Sequence, residues 1–305
     1  MKYLLTLILL STLVSCGSSS KSESKTQVAE DIPFNWLNND DFKPVKEIEY
    51  DEGDDHYTGN IEDQDAISVE TMAKIPPAKL QELVEEEDPI SGPISLCYQK
   101  NFVAAFNKFD RAYKQLKNNA AYWNQVGTCY YLQGESRKAL LYYNKARDLV
   151  KDYAPAINNI GLIHYRNGEV GKALSAFKTA YEVSKFSVTP SFNLAMMYLQ
   201  FGFVEKAEPL LVALYKKNAG DNDVLNALAH MYMMKNDYSK AVSAFSHLSG
   251  DVMRIPAVSI SLSYALYKTG QKDKAMTVLA QTQAQLTPSD VSYFSQVSSV
   301  VKGGK

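Results

Sequence analysis

The alternation of apolar and polar positions divides the chain into three stretches. Leu4 to Val14 is an apolar run interrupted only by Thr6, Ser11 and Thr12. It is far shorter than the roughly 20 residues that a bilayer-spanning helix needs. Residues 17–75 are polar and acidic, with no sustained hydrophobic period. Such a stretch buries too little surface to offset the entropy of ordering, which predicts a disordered acidic tether. After Pro76-Pro77 the pattern turns helical, and AKLQELVEEED sets Leu80, Leu83 and Val84 on one face of a short helix. Residues 76–92 therefore read as a short helix and linker.

Beyond residue 93 the apolar positions repeat every 34 residues. Ala105, Ala139, Ala173, Ala207, Ala241 and Ala275 keep this spacing without an insertion. Gly127, Gly161, Ala195, Ala229 and Ser263 form a second series. Gly134, Gly168, Gly202, Asn236 and Gly270 form a third, and Phe109, Tyr143, Phe177, Leu211, Phe245 and Leu279 a fourth. The physical reading is a stack of helical hairpins. A small residue in the first helix admits its neighbour closely, a Gly or Asn at the turn supplies a left-handed conformation, and an aromatic or Leu fills the gap between repeats. The units start near 86, 120, 154, 188, 222 and 256. Pro89, Gly92 and Pro93 predict that the first leading helix starts no earlier than Pro93. Past Pro288, SDVSYFSQVSSVV predicts a last helix with Ser289 as N-cap and a serine-rich outer face closing the stack.

Trp123, Val126, Gly127, Tyr130, Ala139, Tyr143 and Ala146 occupy signature positions of the tetratricopeptide repeat (TPR), which YWNQVGTCYYLQGESRKALLYYNKA resembles closely. The resemblance covers about residues 86–289. It implies an all-α, right-handed superhelical solenoid of about six hairpins, with the capping helix completing a domain over 93–305.

Charge sharpens the division. From Cys16 to Pro93 there are 20 Asp and Glu against 6 Lys and Arg, and from Ile94 to Lys305 there are 14 against 25. Two physically different parts follow. The chain has three cysteines, too few for a disulfide framework or a four-ligand zinc site. A Cys97–Cys129 bridge would need an oxidising compartment, and both positions suit small buried side chains, so the expectation is two buried thiols.

Met1 to Ser15, with Lys2 before the apolar run, suits a signal peptide. Leu-Val-Ser-Cys resembles the lipobox of bacterial lipoproteins. That resemblance implies cleavage before Cys16 and lipidation of its thiol, giving a lipidated tether over 16–75. Two or more acyl chains suffice for stable attachment. Gly17 in place of Asp resembles lipoproteins forwarded to the outer membrane, so the expected site is that membrane, facing the periplasm. Within the tether, Phe34, Trp36, Leu37 and Phe42 form an aromatic island that reads equally as a docking motif or as a segment folding back on the protein's own core. Asp51, Asp54 and Asp55 lack the full EF-hand pattern and read as solvated acid.

Nothing in the sequence has the spacing of a catalytic site. His56, His164, His230 and His247 have no partners at metal-ligand spacing. HExxH, CxxC, GxSxG and a phosphate-binding glycine loop are all missing. The expectations are a protein that is not an enzyme, with no cofactor and no metal. His164 falls where sister repeats have Tyr and reads as a packing residue. Nucleic acid is an improbable partner for an exported protein.

The TPR resemblance implies that the first helices line a concave face. Its positions here include Asn124 and Tyr131; Asn158, Leu162 and Tyr165; Phe192, Met196 and Leu199; Asn226, His230 and Met233; and Tyr264 and Tyr267. Asn159 and Asn193 fall where asparagines in some TPR proteins hold an extended peptide. Met and Tyr re-pack readily around a protein or peptide. Asn124 and Thr128 replace the basic clamp of the TPR co-chaperones. The implied role is a membrane-anchored envelope scaffold resembling pilotins of secretins and type IV pili. Rival readings are adaptors for cell-wall enzymes, factors of outer-membrane protein assembly, or a self-associating protein. A homo-oligomer through the groove, or docking of the acidic tether in it, would occupy the same face.

Overall fold

The computed structural model describes residues 89–303. The signal peptide, Cys16, the tether with its aromatic island and the helix expected over 78–88 lie outside the described residues. Among those described the fold is all-helical. In chain order the helices are α1 (Ser91–Tyr98), α2 (Phe102–Leu116), α3 (Ala120–Leu132), α4 (Ser136–Leu149), α5 (Ala154–Arg166), α6 (Val170–Val183) and α7 (Val188–Gln200). Then follow α8 (Val204–Lys217), α9 (Asn222–Met234), α10 (Tyr238–Ser246), α11 (Gly250–Met253), α12 (Pro256–Lys268), α13 (Lys272–Gln283) and α14 (Val291–Gly303). The described chain forms two compact units that divide between Leu194 and Ala195, inside α7.

The 34-residue period sets the helix starts. The leading (A) helices α3, α5, α7, α9 and α12 begin at 120, 154, 188, 222 and 256, and each has 13 residues. The returning (B) helices α2, α4, α6, α8, α10 and α13 begin at 102, 136, 170, 204, 238 and 272. One turn joins A to B in every hairpin. In the second hairpin Gly134 N–H donates to Tyr131 O at 3.0 Å and Glu135 N–H to Tyr130 O at 2.9 Å. This Schellman geometry needs a left-handed residue at its centre. Gly134, Gly168, Gly202, Asn236 and Gly270 all have positive φ, and Lys100 (φ 63°) extends the series one repeat earlier than the glycines do.

The small-residue series does what its spacing suggests. A Cβ on Gly127 would lie 2.7 Å from the Tyr143 ring, and one on Gly161 3.0 Å from Phe177. The alanines at 105, 139, 173, 207, 241 and 275 are fully buried, and Phe109, Tyr143, Phe177, Leu211, Phe245 and Leu279 beside them are at most 2% exposed.

Four details depart from the sequence expectations. First, Cys97 and Cys129 form a disulfide, with a Cα–Cα distance of 5.3 Å. Both sulfurs are buried in one cluster with Ile94, Phe109 and Val126. Burial was anticipated; what spacing did not show is that the two positions face one another between α1 and α3. Second, α1 starts at Ser91 rather than at Pro93. A proline in the first turn has no N–H to satisfy, so it is tolerated there. Third, α14 is capped by Asp290, not Ser289, because the Asp290 carbonyl accepts the first intrahelical bond, from Phe294 N–H at 2.8 Å. The Asp290 carboxylate points back and accepts from Thr287 N–H and Oγ1–H. Fourth, α10 stops at Ser246, several residues short of its sisters. Ser246 Oγ–H and His247 Nδ1–H both reach the Ser243 carbonyl, at 2.7 Å each, and compete with the helical bond it would accept. The turn that follows is held by Asn222, whose Oδ1 accepts from Ser249 N–H, and Leu248 and Val252 refill the core. The register is unaffected.

At the carboxy-terminal end α14 lays Tyr293, Val297 and Val301 on the core, while Ser292, Ser295 and Ser299 stay exposed. The serine-rich outer face expected of a closing helix is present.

Candidate protein-binding faces

In the amino-terminal unit the expected groove residues are largely taken up by packing. Asn124, Asn158 and Asn159 are at most 1% exposed and Asn193 is 8% exposed. Their carboxamides form a chain across three successive A helices. Asn159 Nδ2–H donates to Asn124 Oδ1 at 2.9 Å, Asn158 Nδ2–H to Asn159 Oδ1 at 3.2 Å, and Asn193 Nδ2–H to Asn158 Oδ1 at 2.8 Å. The repeat sets equivalent residues at one level on adjacent helices, so these side chains meet each other instead of presenting donors to a peptide.

Tyr131 is 4% exposed, and the Arg166 guanidinium lies 4.3 Å from its ring centre. Burial pushes the Tyr131 phenol up, with Arg166 opposing. Tyr143 O–H donates to Thr128 Oγ1, which donates in turn to the Asn124 carbonyl. Leu162 and Phe192 are nearly closed off as well, and Tyr165 is half-buried. His164 is a buried packing residue as expected, with an added contact: its Nδ1 meets Glu169 Oε2 at 2.5 Å, which holds the Glu169 carboxyl below its usual range.

In the carboxy-terminal unit Leu199, His230, Met233 and Tyr264 are buried, whereas Met196, Asn226 and Tyr267 are half-buried. His230 Nδ1–H donates to the Asn226 carbonyl at 2.8 Å, and its Nε2 lies 3.2 Å from Ser261 Oγ, which also meets Tyr293 Oη at 3.2 Å. A histidine beside a serine suggests a base and a nucleophile. Here Ser261 is wholly buried and already donates to Ala257 O at 2.7 Å, so the group fastens α9, α12 and α14 together.

One accessible feature of both units is the start of the B helices. Lys138, Lys172, Lys206, Lys240 and Lys274 recur every 34 residues along the first turn of the B helices. In the amino-terminal unit Lys138 Nζ sits 5.4 Å from the Tyr130 ring centre and Lys172 pairs with Glu169 at 3.2 Å. Rings stack behind this edge: Trp123 on Tyr142 at 5.6 Å, Tyr142 on Tyr130 at 5.1 Å, and Phe106 against Tyr130 at 4.5 Å. In the carboxy-terminal unit Lys206 lies over Tyr198 and Phe203, Lys240 over Tyr232, and Lys268 over Tyr238 and Tyr264. Phe201 and Phe203 are close to half exposed. The lysine series was in the sequence at the same period as the alanines, but charge conveys no packing signal and it went unread. No group of three or more His, Cys, Asp or Glu that could hold a metal occurs among the described residues.

No protein-family model matches the chain, and no curated protein matches it. Solved structures do. The chain is similar to pilF of Pseudomonas aeruginosa at 14% identity, with 73% of this chain and 99% of that one covered and a TM-score of 0.61. It is similar to a tetratricopeptide repeat protein of Parabacteroides merdae at 17% identity, covering 73% of this chain and 85% of that one, with a TM-score of 0.51. A chain of the Cut9–Hcn1 hetero-tetramer is 18% identical over 81% of this chain, with a TM-score of 0.54; the present sequence spans about half (51%) of that chain's length. At these identities the likeness concerns architecture, and the fold is the TPR-type stack of helical hairpins.

Proposed function

We propose that the protein is a lipid-anchored TPR scaffold of the bacterial cell envelope, held at the outer membrane through Cys16, that binds another protein. The observation that carries the binding part is the lysine–aromatic contact at the start of B helices, Lys138 over Tyr130 in one unit and Lys206 and Lys240 over Tyr198, Phe203 and Tyr232 in the other. Aromatic rings with cations over them give a partner large apolar contacts and a preference for acidic segments. Tyr165 and Tyr267, half-buried members of the A-helix face, are next to the last residues of α5 and α12 and so adjoin that edge, while Met196 and Asn226 are half-buried farther along their helices. The anchor part rests on the lipobox-like Leu13 to Cys16. The Cys97–Cys129 bridge supports export, because disulfides persist in oxidising compartments. Within this reading the role is assembly of a secretin or type IV pilus.

Photo-crosslinking in the native cell from Tyr165, Met196 and Phe203, with mass spectrometry of the adducts, tests the partner. A secretin or pilus component supports the assembly role. A cell-wall enzyme or an outer-membrane assembly factor replaces it with the adaptor reading. Adducts to this chain alone overturn partner binding at this face. Membrane fractionation of Cys16→Ala tests the anchor separately, and a variant that stays membrane-bound refutes it.

A further inference from the structure

In the amino-terminal unit the turns that lead from each B helix to the next A helix follow one plan. Asn119 N–H donates to Leu116 O at 2.8 Å, Tyr153 N–H to Val150 O at 3.1 Å, and Ser187 N–H to Ser184 O at 3.1 Å. Each bond closes a four-residue turn, and the second residue is Lys117, Lys151 and Lys185 in succession. All three are exposed, and none has an ion-pair partner among the described residues. The lysines at the opposite ends of these B helices are engaged: Lys138 meets the Tyr130 ring and Glu135, and Lys172 meets Glu169. Of the three acids nearest the row in sequence, Glu182 pairs with Lys178 at 3.5 Å and Asp152 is half-buried, which leaves Asp148 exposed. The third position of the turns holds Asn118, Asp152 and then Phe186, which is 81% exposed. The Ser184 and Ser187 hydroxyls meet at 2.6 Å, and Ser191 Oγ–H donates to the Ser187 carbonyl at 2.7 Å, so this last tip is held in shape. The unit as a whole is basic. From Ile94 to Leu194 there are 14 Lys and Arg against 6 Asp and Glu, whereas from Ala195 to Lys305 there are 11 against 8. In the carboxy-terminal unit the turn closed by Asp221 N–H on Asn218 O carries Ala219 and Gly220 in the two places.

We propose that this row of turns is a membrane-contact edge, which seats the amino-terminal unit on the anionic headgroups of a lipid bilayer. Equivalent points on stacked hairpins repeat at about one helix diameter, roughly 10 Å, so the row from Lys117 to Lys185 spans on the order of 20 Å. Three like turns present their cations along a line and not around a groove, an arrangement that suits a plane of phosphates better than a peptide. The lysines keep their charge among the headgroups while the Phe186 ring enters the boundary with the acyl chains. Each lysine near an anionic surface is worth roughly fivefold in partitioning, so three give about 100-fold. Burial of one aromatic ring adds roughly tenfold. The contact does not depend on acylation of Cys16. A lipid on Cys16 holds the chain at the membrane, whereas this edge sets which way the repeats face. The lysine–aromatic contacts sit at the other ends of the B helices, about 20 Å away along helices of 14 residues, so a protein partner and the bilayer do not compete.

Vesicle co-sedimentation tests this with the chain from residue 16 onward carrying Cys16→Ala, so that neither the leader nor an acyl chain contributes. The expected result is binding at low salt to phosphatidylcholine vesicles containing phosphatidylglycerol, with at least about tenfold weaker binding to pure phosphatidylcholine. K117E/K151E/K185E lowers the partition coefficient by about 100-fold or more, Phe186→Ser lowers it by about tenfold, and K117R/K151R/K185R retains it. K216E/K217E/K302E, an equal change of charge in the carboxy-terminal unit, leaves binding within about twofold, because those charges lie beyond the screening length from the contact. No binding by the parent chain overturns the proposal. Equal loss in the two charge-reversed triples assigns the effect to net charge and overturns the edge. Equal binding to pure phosphatidylcholine overturns headgroup recognition. Binding of polyglutamate or duplex DNA through the three lysines, with no binding of vesicles, assigns the row to an acidic polymer and also overturns it.

Discussion

Replacing both bridge cysteines, as Cys97→Ala/Cys129→Ala, should destabilise the amino-terminal unit through its unfolded state. The cysteines are 32 residues apart, and each is at most 1% exposed in a cluster that also holds Ile94, Ala105, Phe109 and Tyr122. Opening a loop of that size returns chain entropy worth about 3–4 kcal/mol at 25 °C to the unfolded ensemble. The lost sulfur volume adds a smaller packing penalty of about 1 kcal/mol. With a urea dependence of roughly 1–3 kcal/mol per molar for a unit of this size, the midpoint should fall by about 1–5 M. Trp123, wedged between Tyr113, Tyr122 and Tyr142, reports on this unit. A Trp36→Phe background leaves it as the single tryptophan. Two results would refute the reasoning: an unchanged midpoint, or two free thiols titrated in unreduced, denatured protein of a Cys16→Ala background.

Gly127→Ala should cost about 1–3 kcal/mol, since its Cβ would meet the Tyr143 ring at 2.7 Å in a packed core; thermal denaturation checks it. Lys100→Gly should stabilise by roughly 1 kcal/mol, because Lys100 bears the left-handed strain (φ 63°) that glycine avoids in the sister turns. Asn159→Leu should cost roughly 2 kcal/mol or more by orphaning two buried carboxamide contacts, read as a loss in urea midpoint. Burial lowers the His230 pKa below its usual 6.5, with the Asn226 carbonyl opposing. Its contribution to stability is therefore full above about pH 6.5 and is lost as pH falls through the folded value. Urea midpoints between pH 7.5 and 5 should drop in the parent and drop less in His230→Gln; equal slopes would count against it.

How much of this was legible in the sequence depended on what a 34-residue period encodes. Periodicity reports the position of each residue within its hairpin, so Ala139, Gly127 and Tyr143 declared their packing and the A and B helices fell into place. The same period told which face Asn124, Asn158, Asn159 and Asn193 share, but not what fills that face. Residues at one level on adjacent helices are also neighbours of each other, and polar side chains that can pair across about one helix spacing will do so before a ligand arrives. The concave assignment treated the face as open, whereas the structure buries most of its residues; in the other unit His230 and Tyr264 are buried as well, and Asn226 is half-buried. Cys97 and Cys129 were missed for a related reason, because a separation of 32 falls off the period and pairs different positions of neighbouring hairpins. The first repeat, where proline and glycine break the pattern, is where local rules and period disagree. There the first described A helix has 8 residues where its sisters have 13. A solenoid hides each hairpin's apolar side behind the next, so a hairpin at the end of a stack needs a cover of its own. α14 is that cover at one end, with Tyr293, Val297 and Val301 turned inward and serines turned out.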